Sequence, residues 1–417
     1  MTAATDSIYI AGVGMTPFGR HPDKTQYDLA GEAVEAALCD AGCASGDVGA
    51  AFYSGVTGGV LQGQTAIPGP IALRRCGIEG IPVYSVENAC ASGTSAFNLA
   101  VRTVQSGACD VALAFGAEKM NITDKARIFS VFEGGWDVAT IKGNKAALLA
   151  LGDGFPVPDT ADTGRPHSIF MDVYAAFSMH HMKTWGTTQR QIAAVAAKNR
   201  QHSVHNPLAQ FREPMTIDEI LAGPQIAWPL TLPMCAPITD GGAAVLVCNG
   251  QGLDRLSGAR GRAVKVLASV VQAGVVHSPD DPSRNIGHRA ARAAYEAAGI
   301  DPKAIDVAEV HDATAMGELL NVENLMLVPF GAAGPRAERG EFTIGGRIPV
   351  NPSGGLISKG HPVGATGLAQ LYELVAQLRG EAGARQVSAA RIAIQENGGG
   401  LIDTEEAVVG VTILAGG

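Results

Sequence analysis

Residues 86–96 have the sequence VENACASGTSA, which places a cysteine between a predicted strand and a predicted helix. A short apolar run predicts the strand at residues 81–86, and an alanine-rich pattern predicts the helix at residues 91–105. Unpaired backbone N–H groups at a helix N-terminus favour a thiolate, so Cys90 is a candidate nucleophile. The alternative is that Cys90 is a small buried hydrophobic residue, as most free cysteines are, and this stretch alone favours neither interpretation.

The composition of the 417-residue chain indicates a compact α/β protein with many tight turns. Hydrophobic residues make up 46% of it, charged residues only 17%, and 53 residues are glycine. A net charge of −9 gives no basic footprint, so we expect no nucleic-acid partner. The seven cysteines are widely scattered and have neither metal-ligand spacing nor a disulfide pattern, which predicts reduced thiols and no metal site.

The sequence predicts a cytoplasmic protein. No apolar run approaches the roughly 20 residues that are needed to span a bilayer, so we expect no membrane span. Residues 1–6 carry no basic segment followed by an apolar core, so we expect no secretion signal.

The first half of the chain, predicted as residues 1–255, alternates strands with helices, which indicates mixed α/β layers. Its predicted strands and helix lie at residues 8–14, 28–42 (the helix), 50–53, 110–116 and 243–248. Residues 54–64 are predicted to be a flexible loop. Gly12 and Gly14 lack the third glycine of a dinucleotide fingerprint, so a dinucleotide site there is weakly supported.

Residues 119–232 interrupt the alternation and are predicted to be an inserted loop domain that covers a site. Half of the ten histidines lie in this segment, at His167, His180, His181, His202 and His205. Its cations include Lys183, Arg190, Lys198, Arg200 and Arg212, around a predicted helix at residues 189–202. The alternative is that these charges form a solvated helix face, which is the commoner arrangement for any one of them.

The second half, predicted as residues 262–417, repeats the order of elements in the first half. Its predicted strands and helices lie at residues 264–271, 285–298, 307–311, 368–379, 390–394 and 408–414. Both halves run strand, helix, strand into a reactive turn, helix, strand and strand. We therefore infer two similar structural units, although no residue-level repeat is visible.

Three later turns are candidates for chemistry. His311 and Asp312 follow a predicted strand directly, where α/β proteins place functional residues. Residues 351–367 hold five glycines around His361, which indicates backbone packed closely against a ligand or a neighbouring segment. Residues 395–400, QENGGG, offer glycine N–H groups as an oxyanion hole. The alternative for both glycine runs is tight turns without a ligand.

A cysteine nucleophile with two histidines and a glycine N–H cradle predicts acyl transfer. In this hypothesis the Cys90 thiolate attacks a carbonyl and forms a thioester. A histidine holds the thiol proton or stabilises the oxyanion.

These motifs resemble the thiolase superfamily over essentially the whole chain. Cys90-Ala91-Ser92 matches the Cys-x-Ser nucleophile motif, and Gly360-His361-Pro362 matches Gly-His-Pro. His311-Asp312 resembles the His-Asp motif of the sterol-carrier-protein-type thiolases and acetyl-CoA acetyltransferases. The resemblance implies two similar mixed-sheet halves in a five-layered αβαβα body with an inserted loop domain.

The resemblance also implies roles for individual residues. Cys90 would be acylated, His361 would activate it, and His311 would bind the thioester oxygen or a water. Gly399, with the N–H of Cys90, would line a second oxyanion hole, and Asn397 stands beside it as a substrate-binding candidate. Coenzyme A would be a co-substrate, with no permanently bound cofactor and with the cations of the insertion near its phosphates.

One departure from the family pattern concerns a second cysteine, which degradative thiolases use to move a proton at the α-carbon. The two usual positions hold Asn397 and Ala313 instead. Cys235 is a third possibility, although a buried structural role is the commoner one for such a residue. The proton role therefore falls to a histidine, to Asp312, to water or to a residue that the sequence does not identify.

The leading hypothesis is an acyltransferase that cleaves a specialised, aryl or branched, 3-oxoacyl-CoA with free CoA. One alternative is a Claisen-condensing enzyme, decarboxylating or not, that uses Cys90, His311 and His361. Another is a non-catalytic scaffold subunit that binds CoA thioesters. The resemblance further implies a homodimer or higher homo-oligomer, an acyl-CoA substrate and a possible small zinc-ribbon/OB-fold partner subunit.

Overall fold

The structure is a computed structural model that describes residues 7–158, 164 and 166–417. The strands are β1 (Ile8–Met15), β2 (Ala50–Ser54), β3 (Val83–Val86), β4 (Val111–Glu118), β5 (Gln225–Ala227), β6 (Leu230–Thr231), β7 (Gly241–Cys248), β8 (Val264–Ala273), β9 (Val307–Glu309), β10 (Ile392–Ile402) and β11 (Glu405–Ala415).

The α-helices follow the same chain order. They are α1 (Gln26–Ala41), α2 (Gly58–Gln62), α3 (Pro68–Arg75), α4 (Ser92–Gln105), α5 (Lys125–Glu133), α6 (Ile141–Ala150), α7 (Ile169–Trp185), α8 (Gln189–Ser203), α9 (Ile217–Leu221), α10 (Gly250–Arg255), α11 (Ile286–Ala298), α12 (Ala315–Asn324), α13 (Ala333–Glu338), α14 (Gly355–Lys359) and α15 (Thr366–Leu378). No helix in this described part of the chain is long and apolar enough to cross a bilayer.

Nine strands form one connected mixed sheet in the order β3-β2-β4-β7-β1-β8-β11-β10-β9. The first five strands come from the N-terminal half, Ile8–Arg255, and the last four come from the C-terminal half, Val264–Ala415. The two halves meet where β1 pairs antiparallel with β8, Ile8 opposite Val266 and Ile10 opposite Val264.

The strand orders of the two halves are mirrored about the β1–β8 junction. Strands β1, β7, β4 and β2 of the N-terminal half correspond to β8, β11, β10 and β9 of the C-terminal half. At the position in the C-terminal half that corresponds to β3, there is a single parallel bridge between Ala308 and Val350. Cys90, which follows β3, and His361, which follows Val350, therefore precede equivalent helices, α4 and α15.

Five layers arise because α4 and α15 pack between the two halves of the sheet. One buried apolar core lies between α1 and the N-terminal strands, where Leu29 and Val34 meet Leu113 and Leu246. A second core surrounds the central helices and joins both halves; its members include Ile10, Phe97, Leu368, Leu371 and Leu414. A third core packs α11 and α12 against the C-terminal strands; its members include Ile286, Leu319, Val411 and Ile413.

Gly12 and Gly14 allow α1 to lie directly on β1. A Cβ atom at Gly12 would lie 2.4 Å from the Ala37 carbonyl oxygen, and one at Gly14 would lie 2.1 Å from that of Ala33. The glycines thus serve helix–strand packing, which accounts for the pair without a dinucleotide.

Three predicted loops contain regular structure. Residues 54–64 were expected to be a flexible loop but contain α2, and residues 351–367 contain α14. Residues 395–400, predicted as a turn, lie wholly within β10 and pair with β11, Gly398 opposite Val409 and Gly399 opposite Val408. Glycine is depleted in strands, so local preference favours a turn here, and the tertiary pairing overrides it.

Candidate active site

Cys90 lies in a tight loop between β3 and α4. The N–H of Ala91 donates to the Asn88 carbonyl at 3.0 Å. The Ser92 hydroxyl donates to the Ala89 carbonyl at 2.6 Å and accepts from the Asn88 N–H at 2.8 Å. Ala89 has a left-handed φ of +47°, a strained conformation for a residue with a side chain. The loop thereby holds Cys90 just ahead of the 14-residue helix α4.

His311 follows β9 and is fixed through its backbone. Its N–H donates to Glu396 Oε2 at 3.0 Å, and its carbonyl accepts from Asn321 Nδ2 at 3.1 Å. The side chain is buried, with Nδ1 3.6 Å from Glu406 Oε1. The two hydrogen bonds fix the His311 backbone between β10 and α12.

His361 lies in the glycine-rich segment before α15, and four buried contacts hold that segment. The His361 N–H donates to Thr239 Oγ1 at 3.1 Å, and its Nδ1 lies 2.7 Å from Thr366 Oγ1. The Gly364 N–H donates to the buried Glu118 at 3.1 Å. Asp312 accepts from the Leu356 N–H at 2.7 Å. Asp312 thus anchors the His361 segment beside His311.

The three predicted catalytic residues meet in space. Cys90 Sγ and a ring nitrogen from each of His311 and His361 all lie within 4.8 Å of one another. The two imidazole rings are 5.3 Å apart between centroids. All three residues line one cavity of about 1310 Å³. This arrangement places a thiol and two proton-carrying groups around a single point that a ligand can reach.

The two histidines have opposite electrostatic environments. Burial lowers the pKa of His311, but interactions with Cys90 and Glu406 outweigh it and raise that pKa well above its ordinary value. Burial, together with the charge of His311, lowers the pKa of His361 well below its ordinary value. At neutral pH the site therefore combines a charged imidazolium donor with a neutral imidazole acceptor.

Gly399 lies against the Cys90 loop, whereas Asn397 does not line the cavity. A Cβ atom at Gly399 would lie 2.3 Å from the Asn88 carbonyl oxygen and 2.9 Å from the Cys90 nitrogen. Asn397 is fully buried, and its Oδ1 accepts from the Thr94 hydroxyl at 3.0 Å. The structure therefore brings four of the five predicted site residues together and places Asn397 behind them, supporting α4.

Two further cavity residues were missed from the sequence. Glu406, at the start of β11, faces His311, and Tyr174, on α7, is a buried phenol. Burial, followed by the charges of Glu406 and Cys90, raises the pKa of Tyr174 well above its ordinary value. Burial and the charge of Glu406 also raise the pKa of the neighbouring Glu396 to about 8. No local pattern identifies Glu406, because its position depends on how β10 pairs with β11.

The insertion contributes many aromatic side chains to the wall of the cavity. Seven aromatic residues of this segment line the cavity: Phe129, Phe132, Phe170, Tyr174, Phe177, Trp185 and Phe211. The predicted phosphate-binding cations do not line it in the described part of the chain. Lys198 is buried against Glu318 at 2.8 Å, and Arg190 pairs with Asp218 at 2.7 Å on the surface. Arg20 and Lys119 line the cavity instead.

Comparisons with known families agree with this architecture. A family model described as the thiolase N-terminal domain matches residues 8–221, and one described as thiolase C-terminal domain-like matches residues 268–411. The chain belongs to the thiolase family. Human sterol carrier protein 2 is 36% identical to this thiolase. The match covers 95% of this chain and 71% of that protein.

Two further relatives are similar over nearly their whole length. The acetyl-CoA acetyltransferase of Methanothermobacter thermautotrophicus is 36% identical, over 94% of this thiolase and 96% of the relative. Benzoylsuccinyl-CoA thiolase subunit BbsB of Thauera aromatica is 34% identical, over 91% of each chain. The prediction of an acyltransferase enzyme is confirmed, in preference to a non-catalytic scaffold.

Solved structures share the fold at low sequence identity. The Ltp2-ChsH2(DUF35) aldolase has a TM-score of 0.77 at 22% identity, covering 98% of both chains. Human mitochondrial 3-ketoacyl-CoA thiolase has a TM-score of 0.68 at 17% identity, covering 99% of this thiolase and 100% of that chain. The predicted fold class is confirmed.

Proposed function

We propose that this thiolase cleaves a 3-oxoacyl-CoA with free CoA through an acyl-enzyme on Cys90. The observation that carries the proposal is the cluster of Cys90, His311 and His361 in the wall of one large cavity. A thiol nucleophile within reach of a base, and oriented by a helix N-terminus, is the arrangement that covalent acyl transfer requires.

Each residue has a distinct proposed task. The neutral His361 accepts the thiol proton of Cys90, since its lowered pKa leaves a nitrogen free of a proton at neutral pH. The charged His311 stabilises negative charge on the thioester oxygen. The N–H groups of Gly399 and Cys90 bind the oxygen of the attacked carbonyl. Asn397 lies behind this wall and takes no part in the step.

The substrate proposed here has a bulky apolar acyl group, aryl or branched. An apolar cluster lies next to Cys90; its members include Met120, Val131, Phe132 and Val363. The cavity of about 1310 Å³ is larger than the roughly 300–1,000 Å³ of ordinary small-molecule pockets, so it has room for both CoA and a large acyl group. A relative whose name specifies benzoylsuccinyl-CoA supports the aryl class.

The test is intact-protein mass after mixing with linear and aryl 3-oxoacyl-CoA thioesters, with CoA withheld. We expect a mass gain equal to the acyl group that maps to Cys90 and is released by added CoA as a new thioester. The matched control is Cys90→Ala, which should show no gain. Absence of an adduct from every thioester would refute the proposal.

A condensing enzyme is the second candidate, because the two positions of the usual second cysteine hold Asn397 and Ala313. Decarboxylating condensing enzymes use a Cys-His-His set and need no such cysteine. This candidate predicts that malonyl-type thioesters lose carbon dioxide on the enzyme and that 3-oxoacyl thioesters are products rather than substrates.

Assembly is proposed to involve a homodimer. Strand β3 is an edge strand without a partner on its outer side among the described residues, and Tyr84 on it is 54% exposed. A second copy would cover this edge by extending the sheet. A small partner subunit remains part of the proposal, supported by the ChsH2(DUF35) component of the similar aldolase structure. All seven cysteines are free, which fits the proposed cytoplasmic location.

A further inference from the structure

The proposed cleavage needs a proton donor, and the sequence motifs do not identify one. When the bond between C2 and C3 of a 3-oxoacyl-CoA breaks, its electron pair goes to C2, and this enolate carbon must be protonated. Asn397 and Ala313 occupy the positions where a second cysteine was expected. Neither an amide nor a methyl group donates a proton at neutral pH.

The geometry points to Glu406 as this acid and base, an inference that rests on the proposed function. Glu406 lines the cavity that holds Cys90, and its side chain is 21% exposed. Its Oε1 lies 3.6 Å from Nδ1 of His311, and His311 in turn belongs to the cluster around Cys90 Sγ. A carboxyl group in this position touches both the cavity space and the catalytic histidine.

The glycine run of β10 creates the space for Glu406. A Cβ atom at Gly398 would lie 2.0 Å from Glu406 Oε1 and 2.3 Å from its carboxyl carbon. Any side chain at position 398 would therefore displace the carboxylate. Leu401 pairs with Glu406 across the hairpin, so the carboxylate extends back over Gly398 toward His311.

Asp312 and Cys235, the other candidates for this proton transfer, make different contacts. Asp312 is fully buried, outside the cavity lining, and accepts from Asn199 Nδ2 at 2.8 Å and from the Leu356 N–H at 2.7 Å. Cys235 reaches the cavity wall, but its thiol donates to the Thr231 carbonyl at 3.5 Å. Burial raises the pKa of Cys235 to about 12, so its thiol is a weak proton donor and stays protonated at neutral pH.

In the proposed cycle Glu406 is the group that transfers the proton to C2, and the protons balance over one turnover. After His361 has taken its proton, the Cys90 thiolate attacks C3, the C2–C3 bond breaks and the C3 acyl group stays on Cys90 as a thioester. The Glu406 carboxylic acid donates its proton to C2, which releases the CoA thioester that contains C1 and C2, acetyl-CoA for an unbranched substrate. The resulting Glu406 carboxylate then takes the thiol proton of the incoming CoA. The CoA thiolate attacks the Cys90 thioester, the shortened acyl-CoA is released, and Cys90 leaves as a thiolate. Glu406 is then protonated again, ready for the next turnover.

The titratable groups that face Glu406 come from four elements. Tyr174 on α7, His311 after β9 and Glu396 on β10 interact with it directly, and Cys90 before α4 lies beside His311. Burial and the charge of Glu406 raise the pKa of Glu396 to about 8, so Glu396 holds a proton near neutral pH beside Glu406.

The test compares Glu406→Gln with the wild type in two assays. The first is the rate at which a 3-oxoacyl-CoA that acylates the wild type acylates Cys90, which reports cleavage of the carbon–carbon bond. The second is incorporation of deuterium from D₂O into the α-carbon of acetyl-CoA. Positioned acid–base groups contribute about 10²–10⁴-fold, so we expect both rates to fall by about that factor. Glu406→Asp should recover part of each rate.

Alkylation of Cys90 by iodoacetamide separates a chemical defect from a structural one. We expect Glu406→Gln to keep the wild-type thermal midpoint and a reactive Cys90, whose alkylation rate falls far less than the cleavage and exchange rates. If Glu406→Gln cleaves the substrate and exchanges deuterium at wild-type rates, or if Cys235→Ser carries the defect instead, the assignment is overturned. A wild type that forms no Cys90 adduct at all would refute the proposed function, which is a distinguishable failure.

Discussion

Replacing Gly399 by alanine should displace the nucleophile without unfolding the protein. The added Cβ would lie 2.3 Å from the Asn88 carbonyl oxygen and 2.4 Å from the Ala91 nitrogen. Ordinary contacts are 3.4–4 Å, and the opposing atoms are backbone, so the loop at residues 88–91 must move by about 1 Å. Overpacking of this kind costs about 1–3 kcal/mol of unfolding free energy.

The catalytic effect should exceed the effect on stability. A misplacement of about 1 Å costs roughly 10²-fold in rate, so we expect kcat/KM to fall at least that far while the protein stays folded. The assays are steady-state cleavage and urea unfolding, with Gly250→Ala as the matched control because nothing lies within 4 Å of that position. Wild-type activity in Gly399→Ala would show that the close approach of β10 to the Cys90 loop does not position the thiol.

Three further predictions concern stability and assembly. Asp312→Ala should lower the unfolding free energy by roughly 3 kcal/mol, because it strips the Leu356 N–H and Asn199 of a buried acceptor; urea unfolding measures this, and an unchanged midpoint would contradict the anchoring role. Burial, followed by the charge of Lys198, lowers the pKa of His202 to about 3, so the unfolded chain binds a proton below about pH 6.5 that the folded chain does not. Stability should therefore fall by about 1.4 kcal/mol per pH unit from this residue as the pH drops below 6.5. In His202→Gln the dependence of stability on pH below 6.5 should weaken by the contribution of one bound proton. The same pH dependence in both proteins would contradict the predicted pKa shift of His202. Tyr84→Asp should shift light scattering from the mass of two chains to that of one, because like charges would face each other across the paired edges; a variant that stays dimeric would place the interface elsewhere.

The sequence identified the parts of the site whose signals are local. Cys90 stands out because small residues flank it before a helical pattern, and His361 stands out because five glycines surround it. Cys90 and His311 each follow a predicted strand, where α/β proteins place functional residues.

Glu406 could not be found in this way, because its place depends on the register of a hairpin. Leu401 pairs with Glu406, so the carboxylate reaches the space left open by Gly398. A shift of one residue would turn Glu406 to the other face of the sheet. Residues 395–400 were themselves misassigned as a turn, so the sequence alone offered no register to use.

The mirrored halves have a consequence for how the active enzyme is formed. Cys90 comes from the N-terminal half, whereas His311, His361 and Glu406 come from the C-terminal half. The central core that joins them contains residues from both, such as Phe97 and Leu371. On refolding from denaturant, each half can regain helix and sheet before the halves dock. Recovery of activity should then lag behind recovery of circular dichroism, because the reactive thiol acquires its histidines only in the last step.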